Sequence, residues 1–255
     1  MEEFKLSDNV DSNKVFIVWR SELEGRIDAT FYLNRLDFSE TTQLSKIAKI
    51  KGGKRIPLGY DYSAEETDNL YLRVANMDES TDFNFSEFKF ISDELYQLLN
   101  RYEVFENDLI ISIAGTVGKT KVLKNTPFGK RIILTENCAK IIPTENIIPE
   151  YLNLVLQTSF LQNQISLSYI QTTIPKLGID KILELRIPKI PTLERQSEIV
   201  AIYNQAYSLK QQKEAEAKAL LDSIDDYLLE ELGITLPSKD DKNSDLLLAA
   251  EPKPI

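Results

Sequence analysis

Between residues 44 and 191 the apolar positions fall in short runs separated by turn residues, a pattern typical of short strands. Helical spacing interrupts these runs three times, and Pro149 stands where a helix can begin. The pattern therefore predicts an α+β domain. The predicted strands cover residues 46–50, 70–74, 108–113, 121–123, 132–134, 139–142 and 185–187, and the predicted helices cover residues 92–99, 150–157 and 159–166.

The pattern changes after residues 187–191, where two prolines precede Thr192, a residue able to cap a helix. From there to Gly233 neither proline nor glycine occurs, and apolar residues recur at helical spacing. Some 40 helical residues would span roughly 60 Å. Such a helix exceeds a domain of this size, so part of its apolar stripe is expected to meet another helix. The alternative is a solvated, charged helix that caps the domain.

The chain is thus predicted to have four segments. Residues 1–40 form an N-terminal arm, residues 41–190 the globular domain, and residues 191–233 the long helix, while residues 234–255 form a charged tail expected to be disordered. The expected seam of a helix dimer consists of apolar and small residues on one stripe: Ile199, Ile202, Ala206, Leu209, Leu220, Ile224 and Tyr227.

Composition narrows the function classes. The 255 residues contain no histidine, which excludes His-dependent catalytic triads and the commonest metal ligand. The single cysteine, Cys138, allows no internal disulfide, as expected in a reducing cytoplasm. No apolar run is long enough to cross a membrane and the N-terminus has no signal pattern, so neither insertion nor secretion is expected.

A net charge of −10 argues at first against a nucleic-acid partner. Residues 1–40 carry −4 and residues 191–255 carry −6, however, while residues 41–190 are neutral. Two segments of this neutral part carry only positive charges, and each lies beside glycines. Solvated faces and a surface that follows DNA phosphates are both open interpretations. The two clusters are Lys46, Lys49, Lys51, Lys54 and Arg55, and Lys119, Lys121, Lys124, Lys130 and Arg131.

Residues 111–120, ISIAGTVGKT, approach a nucleotide-binding P-loop. That motif requires its first glycine at position 113, which holds Ile113, and a helix must follow. Here a short segment interrupted by Pro127 follows instead. The sequence therefore predicts two strands joined by a glycine-rich turn, and no ATP binding.

Enzymatic chemistry finds little support. Neither a cofactor-binding glycine loop nor the Asn/Asp-Pro-Pro-aromatic motif of a DNA adenine methyltransferase occurs. Asp108, Glu136 and Lys140 fit a nuclease core loosely, but such sets arise by chance in a chain with this many charges. We expect no catalytic residues and no metal site.

Six segments in a fixed order carry a family likeness: residues 25–32 (GRIDATFY), 51–57 (KGGKRIP), 71–76 (YLRVAN), 107–119 (NDLIISIAGTVGK), 171–177 (QTTIPKL) and 185–196 (LRIPKIPTLERQ). In this order they resemble the specificity (S) subunits of type I restriction-modification systems, over residues 25 to about 232. The resemblance implies a target recognition domain that reads a DNA half-site, followed by a helix that spaces it from a second domain.

This sequence has one such domain, one helix and no internal repeat, so it looks like a half-subunit. A homodimer with antiparallel long helices would complete the architecture and would read a symmetric bipartite site in double-stranded DNA. The resemblance also implies modification (methyltransferase) subunits, and potentially a restriction subunit, as partners. S-adenosylmethionine, ATP and Mg are then expected only on those partners, and no cofactor on this chain.

Within that resemblance, the cations are expected to contact DNA phosphates and a few polar side chains to read bases. For Arg73 a salt bridge inside the sheet is an equal alternative. The second candidate function is an acidic interaction or assembly protein, or a silent recombination cassette, of the same ancestry. The phosphate candidates are Lys46, Lys49, Lys51, Lys54, Arg55, Lys119, Lys121, Lys124 and Lys176, and the base-reading candidates are Arg73, Asn76, Arg131, Gln171 and Thr172.

Overall fold

A computed structural model describes residues 6–7, 9–11, 15–22, 38, 40–78, 83–168 and 175–233, with the backbone alone at 225 and 226. Contacts divide the chain into two units, Met1–Val200 and Ala201–Ile255. The division falls inside the long helix and not at residue 190, where the sequence placed the domain boundary. Most of the predicted N-terminal arm and all of the predicted tail lie outside the described residues.

The first unit contains two four-stranded sheets, which we call sheet I and sheet II. Sheet I is antiparallel throughout, in the order β2-β9-β6-β7. Sheet II has the order β4-β3-β8-β5, and its central pair, β3 with β8, is parallel. The strands of sheet I are β2 (Ala48–Gly52), β6 (Leu109–Ser112), β7 (Thr120–Val122) and β9 (Cys138–Pro143); those of sheet II are β3 (Asn69–Leu72), β4 (Lys89–Phe90), β5 (Glu103–Val104) and β8 (Arg131–Leu134).

A two-stranded ribbon, five α-helices and five 3-10 helices of three residues each complete the described structure. In the ribbon, β1 (Thr41–Gln43) pairs with β10 (Arg186–Pro188), so the beginning and the end of the globular segment lie side by side. The helices are α1 (Asp93–Leu99), α2 (Pro149–Gln157), α3 (Ser159–Ser168), α4 (Ile179–Glu184) and α5 (Leu193–Glu231). The predicted α+β class with one long C-terminal helix is confirmed.

Three apolar cores separate these layers. One face of sheet I packs against α2, α3 and α4 through residues such as Ile111, Ile141 and Leu152. The other face meets sheet II through a core that includes Ile110 and Cys138. Burial raises the pKa of the Cys138 thiol to about 12, so this side chain acts as a small apolar group.

The third core lies on the far face of sheet II. Tyr71 and Ile133 pack there against Leu95 and Leu99 of α1. Alternation along β3 and β8 therefore sends neighbouring residues into two different cores, which explains why β3 is buried at every position.

The start of α5 is fixed to the globular unit by Gln196, whose side chain is fully buried. Its Oε1 accepts a hydrogen bond of 2.9 Å from the backbone N–H of Ile148, and its Nε2 donates at 2.9 Å to the carbonyls of Asn146 and Pro191. The amide thus joins the helix to the residue that precedes α2. For this reason the first turns of α5 belong structurally to the first unit, Met1–Val200.

Gly53 lies where the chain passes from sheet I to sheet II. Its N–H donates to the carbonyl of Cys138 at 3.0 Å, and the next N–H, of Lys54, donates to the carbonyl of Leu134 at 2.9 Å. A Cβ at Gly53 would lie 2.1 Å from the carbonyl oxygen of Thr135 and 2.3 Å from that of Leu134. Only glycine allows this approach of two backbones, because the obstructing atoms belong to the main chain.

We predict that Gly53→Ala lowers the free energy of unfolding by about 3 kcal/mol, since the methyl group must push the two sheets apart. The matched control is Gly52→Ala, whose Cβ would meet only the flexible Cδ1 of Ile179 at 3.3 Å and should change stability by less than about 1 kcal/mol. Urea unfolding of both variants measures the difference. Equal stability of the two would contradict the packing role of Gly53.

Candidate nucleic-acid interface

Two glycine-containing loops leave sheet I at the same end. Strand β2 finishes at Gly52 and continues into Gly53–Arg55, while β6 finishes at Ser112 and continues into the turn of residues 113–119. Gly52 is in register with Ala139, and Ser112 is in register with Cys138, so both strand ends flank the start of β9. One strand separates β2 from β6, which puts the two loops about 10 Å apart.

Lys176 joins this end of the sheet through a bridge between its backbone and that of Ala114. The N–H of Leu177 donates to the carbonyl of Ile113 at 2.9 Å, which holds the segment in place. We call the surface formed by Lys51, Lys54, Arg55, Lys119 and Lys176 the basic end. Its members come from three distant parts of the sequence.

The first predicted cluster is only partly gathered there. Lys49 and Lys51 alternate with inward-facing residues of β2 and are exposed. Lys54 is also exposed, and in the described part of the chain the ammonium groups of these three lysines have no hydrogen bond or ion pair. Lys46 precedes β2 and so lies toward the opposite end of sheet I, where Ala48 is in register with Pro143.

The second predicted cluster is largely neutralised by carboxylates. Lys121 is buried in a 2.7 Å ion pair with Asp78, with its ammonium 4.8 Å from the centre of the Phe83 ring. A phosphate cannot reach this group, so the assignment of Lys121 to DNA contact is corrected. Lys124 pairs with Glu150 at 2.5 Å.

Lys130 and Arg131 are engaged in the same way. Lys130 pairs with Glu66 at 3.0 Å and with Asp68 at 3.5 Å. Arg131 pairs with Asp93 at 2.8 Å and covers the Tyr96 ring, with 4.1 Å between its Cζ and the ring centre. Their charges are therefore offset within the fold, and only Lys119 of this cluster contributes to the basic end. Its ammonium makes one long contact, 3.4 Å, to the carbonyl of Met77.

The turn that resembles a P-loop uses its backbone N–H groups internally. Gly115 donates to the carbonyl of Pro175 at 3.2 Å, and Gly118 donates to the carbonyl of Ser112 at 2.9 Å. The N–H of Lys119 donates to Oγ of Ser112 at 3.0 Å. A phosphate cradle needs such groups unpaired. The glycines serve the turn, since Gly115 and Gly118 have φ values of 79° and 87°.

Among the base-reading candidates, Arg73 and Asn76 have structural roles. Asn76 is 4% exposed, and its side chain accepts from the N–H of Arg73 at 2.9 Å and donates to the carbonyl of Glu87 at 3.1 Å. A base edge cannot reach it, which corrects that assignment. Arg73 Nη2 donates to the same carbonyl at 3.2 Å, so its contact is not the alternative salt bridge. Gln171 and Thr172 lie outside the described residues.

The carboxylates considered for a nuclease each face a cation. Asp108 pairs with Lys140 at 2.9 Å, and Lys140 also donates to the carbonyl of Glu103 in sheet II. Glu136 pairs with Arg55 at 2.7 Å. Among the described residues there is no group of three or more Asp, Glu, Cys or His that could hold a metal ion. No helix in the same part of the chain is long and apolar enough to cross a membrane.

The predicted dimer seam is mostly uncovered. Ile202, Leu209 and Leu220 are 61%, 55% and 64% exposed, and Ala206, Ile224 and Tyr227 are exposed as well. Ile199 differs, because it is half-buried and packs against the core beneath sheet I. Its place in the seam is corrected to a place in the globular unit.

The sequence did not identify Glu136 as the partner of Arg55 in the basic end. It also did not identify Gln196 as the residue that anchors α5 to the globular unit. Glu136 partners Arg55 across 81 positions, a distance over which no periodic pattern connects two residues. A signal for Gln196 existed, because it closes the motif of residues 185–196, but nothing in that motif indicated that its amide would be fully buried.

Comparison with protein families identifies a family. The model described as type I restriction modification DNA specificity domain matches residues 38–219. A search of curated proteins finds no match.

Solved structures are similar to this chain at low sequence identity. One, described as showing complex assembly and conformational transition of the type I R-M system, is 20% identical with a TM-score of 0.55, over 75% of this chain and 44% of that one. The type I restriction-modification S subunit from M. genitalium is 16% identical with a TM-score of 0.45, over 75% of this chain and 43% of that one. The HsdS subunit from Thermoanaerobacter tengcongensis is 19% identical with a TM-score of 0.46, over 70% of this chain and 39% of that one. This chain thus spans less than half the length of each.

If the basic end contacts phosphates, removing Lys54 and Lys176 together should weaken binding to every duplex. Each lost phosphate contact should reduce the slope of log K against log salt by about 0.9, so the double alanine variant should lose about 2. Lys46→Ala, at the other end of sheet I, should leave the slope unchanged. Fluorescence anisotropy between 50 and 200 mM salt, a range suited to such slopes, measures this; equal slopes in all proteins would place the contact elsewhere.

Proposed function

Since this chain belongs to the family of type I restriction modification DNA specificity domains, we propose that it is the non-catalytic DNA-recognition subunit of a type I-like restriction-modification complex. The observation that carries the proposal is the basic end, where three separate segments bring to one end of sheet I lysines that form no ion pair within the described residues. Phosphate contacts by these lysines would position the domain, while neighbouring side chains read the bases.

Each copy of the chain would read one half-site. It supplies one recognition domain and one long helix, so two copies joined through α5 would supply two readers at a fixed separation. A two-fold axis between them would make the target a symmetric, gapped sequence.

The residues of α5 favour antiparallel pairing of the two helices. Centred between residues 214 and 215, an antiparallel arrangement places Ile202 opposite Tyr227 and Leu209 opposite Leu220, with Ala206 one position away from facing Ile224. The large apolar residues Ile202 and Leu209 thereby meet apolar residues of the second copy.

The polar interruption of the stripe fits the same arrangement. Lys213 and Glu216 occupy the positions between Leu209 and Leu220 at the spacing of the stripe, and within one chain they pair at 2.7 Å. In the antiparallel dimer Lys213 would face Glu216 of the second copy. A parallel dimer would instead bring Lys213 against Lys213, so charge selects the antiparallel direction.

The chemistry of modification and cleavage would come from other chains. We propose modification (methyltransferase) subunits as partners, with a restriction subunit as a further partner, and we place S-adenosylmethionine, ATP and Mg on those subunits. The structural neighbour described by its complex assembly supports a multisubunit setting for this fold.

The second candidate is an acidic assembly protein, or a silent cassette, that has the fold without DNA binding. The net charge of −10, with −6 in residues 191–255, favours it. The lysines of the basic end, which have no carboxylate partner in the described part of the chain, favour the DNA reader.

A selection experiment separates the two functions. The full chain, with its cognate modification subunit, is mixed with a pool of randomised duplexes, and the retained DNA is sequenced. We expect enrichment of a symmetric, gapped site. If no sequence is enriched and no duplex is retained even at low salt, the DNA-reading function is refuted and the assembly protein is the better account.

The dimer is tested by light scattering. Ile202→Asp with Leu209→Asp should convert the dimer to a monomer, because the carboxylates would be buried at the seam without partners. Charge variants test whether the two helices run antiparallel. Lys213→Glu alone should weaken the antiparallel dimer, and adding Glu216→Lys to it should restore the dimer. A mass that stays unchanged in the Asp variant would refute the seam.

A further inference from the structure

Arg55 differs from the lysines around it because its guanidinium is already held. Its Nε donates to Oε1 of Glu136 at 2.7 Å, while the side chain remains 78% exposed. The other carboxylate oxygen of Glu136 accepts from Oγ1 of Thr135 at 2.9 Å. Partial burial of Glu136 would raise its pKa, but the hydrogen bonds from Arg55 and Thr135 outweigh that effect and hold the pKa below its usual value.

The backbone beneath Arg55 is fixed as well. On its N-terminal side, Lys54 donates its N–H to Leu134, and its carbonyl accepts from the hydroxyl of Tyr71 at 2.6 Å. On its C-terminal side, Ile56 packs against the core on the far face of sheet II. The guanidinium is thus oriented both from its backbone and from its Nε.

The terminal Nη1 and Nη2 groups of Arg55 are left unpaired within the described residues. This edge of a guanidinium presents two parallel N–H donors, which match the O6 and N7 acceptors of guanine in the major groove. Arg73 and Arg131 lack this property, because each uses Nη2 in the fold, with Glu87 and Asp93 respectively.

A phosphate is the less suitable partner for this edge. The carboxylate of Glu136 lies 2.7 Å from Arg55 Nε and would repel a phosphate, whereas a guanine edge carries no net charge. Lys54, next in the chain, has no such carboxylate and suits a phosphate.

We propose that Arg55 is a specificity-determining residue that reads a guanine in each half-site, with Glu136 as the positioning residue that aims it. This inference rests on the proposed DNA-reading function. It replaces the phosphate role that the sequence suggested for Arg55.

The test repeats the selection from randomised duplexes with the full chain and its modification subunit, in four forms: wild type, Arg55→Lys, Glu136→Gln and Lys54→Ala. Wild type should enrich a guanine at one position of each half-site. Arg55→Lys keeps the charge but loses the paired donors, so discrimination at that position should fall about tenfold with all other positions and the salt slope unchanged.

The other two variants distinguish the orientation of Arg55 from the overall affinity for DNA. Glu136→Gln should lose part of the same discrimination, because an amide oxygen still accepts from Nε but without the charge. Lys54→Ala should do the reverse of Arg55→Lys, weakening binding to all sequences and lowering the salt slope by about 1 with preference intact. Unchanged melting temperatures confirm that the exposed substitutions leave the fold intact.

Two results would overturn the role of Arg55 without affecting the proposed DNA-reading function. One is an Arg55→Lys protein that keeps its full preference for guanine. The other is an Arg55→Lys protein whose binding is weakened equally for all sequences, which would make Arg55 a phosphate contact. A wild-type protein that enriches no sequence removes the DNA-reading function itself, and the inference with it.

Discussion

The contact between the backbone at Gly53 and the backbone at Leu134–Thr135 determines both the joint between the two sheets and the geometry of the basic end. Because no side chain intervenes, the strand that leaves sheet I is bonded directly to sheet II through Lys54 and Leu134. Arg55 follows this joint by two residues, and its partner Glu136 follows the other side of it. The residues for which we propose DNA contacts are therefore held in place by main-chain packing.

The distribution of charge depends on the same architecture. An acidic chain can present a basic surface only where carboxylates are used elsewhere, and the fold does this by pairing Lys121, Lys124, Lys130 and Arg131 with acids of the globular unit. Screening in physiological salt limits the reach of exposed charges to about 8 Å. The negative charge in residues 191–255 therefore need not cancel a local cluster of lysines that have no ion pair among the described residues. For this reason the net charge of the chain is a poor guide to its binding partner.

Periodicity in the sequence was enough to predict the longer strands and every α-helix but α4, because alternation and helical spacing are local properties. Helix α4 has only six residues, too few to show helical spacing clearly. Strands β4 and β5 have two residues each, too few for any pattern, and the parallel pairing of β3 with β8 depends on a contact between residues 69–72 and 131–134 that no local signal reports. The two lysine clusters were visible as composition. Which of their charges stay free was not, since the acids that neutralise them lie far away in sequence.

The role of Gly53 likewise could not be predicted from local sequence patterns. In the sequence, Gly52 and Gly53 were noted only as neighbours of a cluster of cations, whereas in the structure Gly53 is required by the closeness of two backbones. Lys51 and Lys54 on either side of Gly53 are nonetheless exposed, because the rigid joint at the end of β2 turns its neighbouring side chains outward. A loop of this kind loses little conformational entropy on binding, which favours discrimination between bases over adaptation to any DNA. An arginine already oriented by such a joint therefore fits the proposed role, in which this chain selects a DNA sequence and other subunits supply the chemistry.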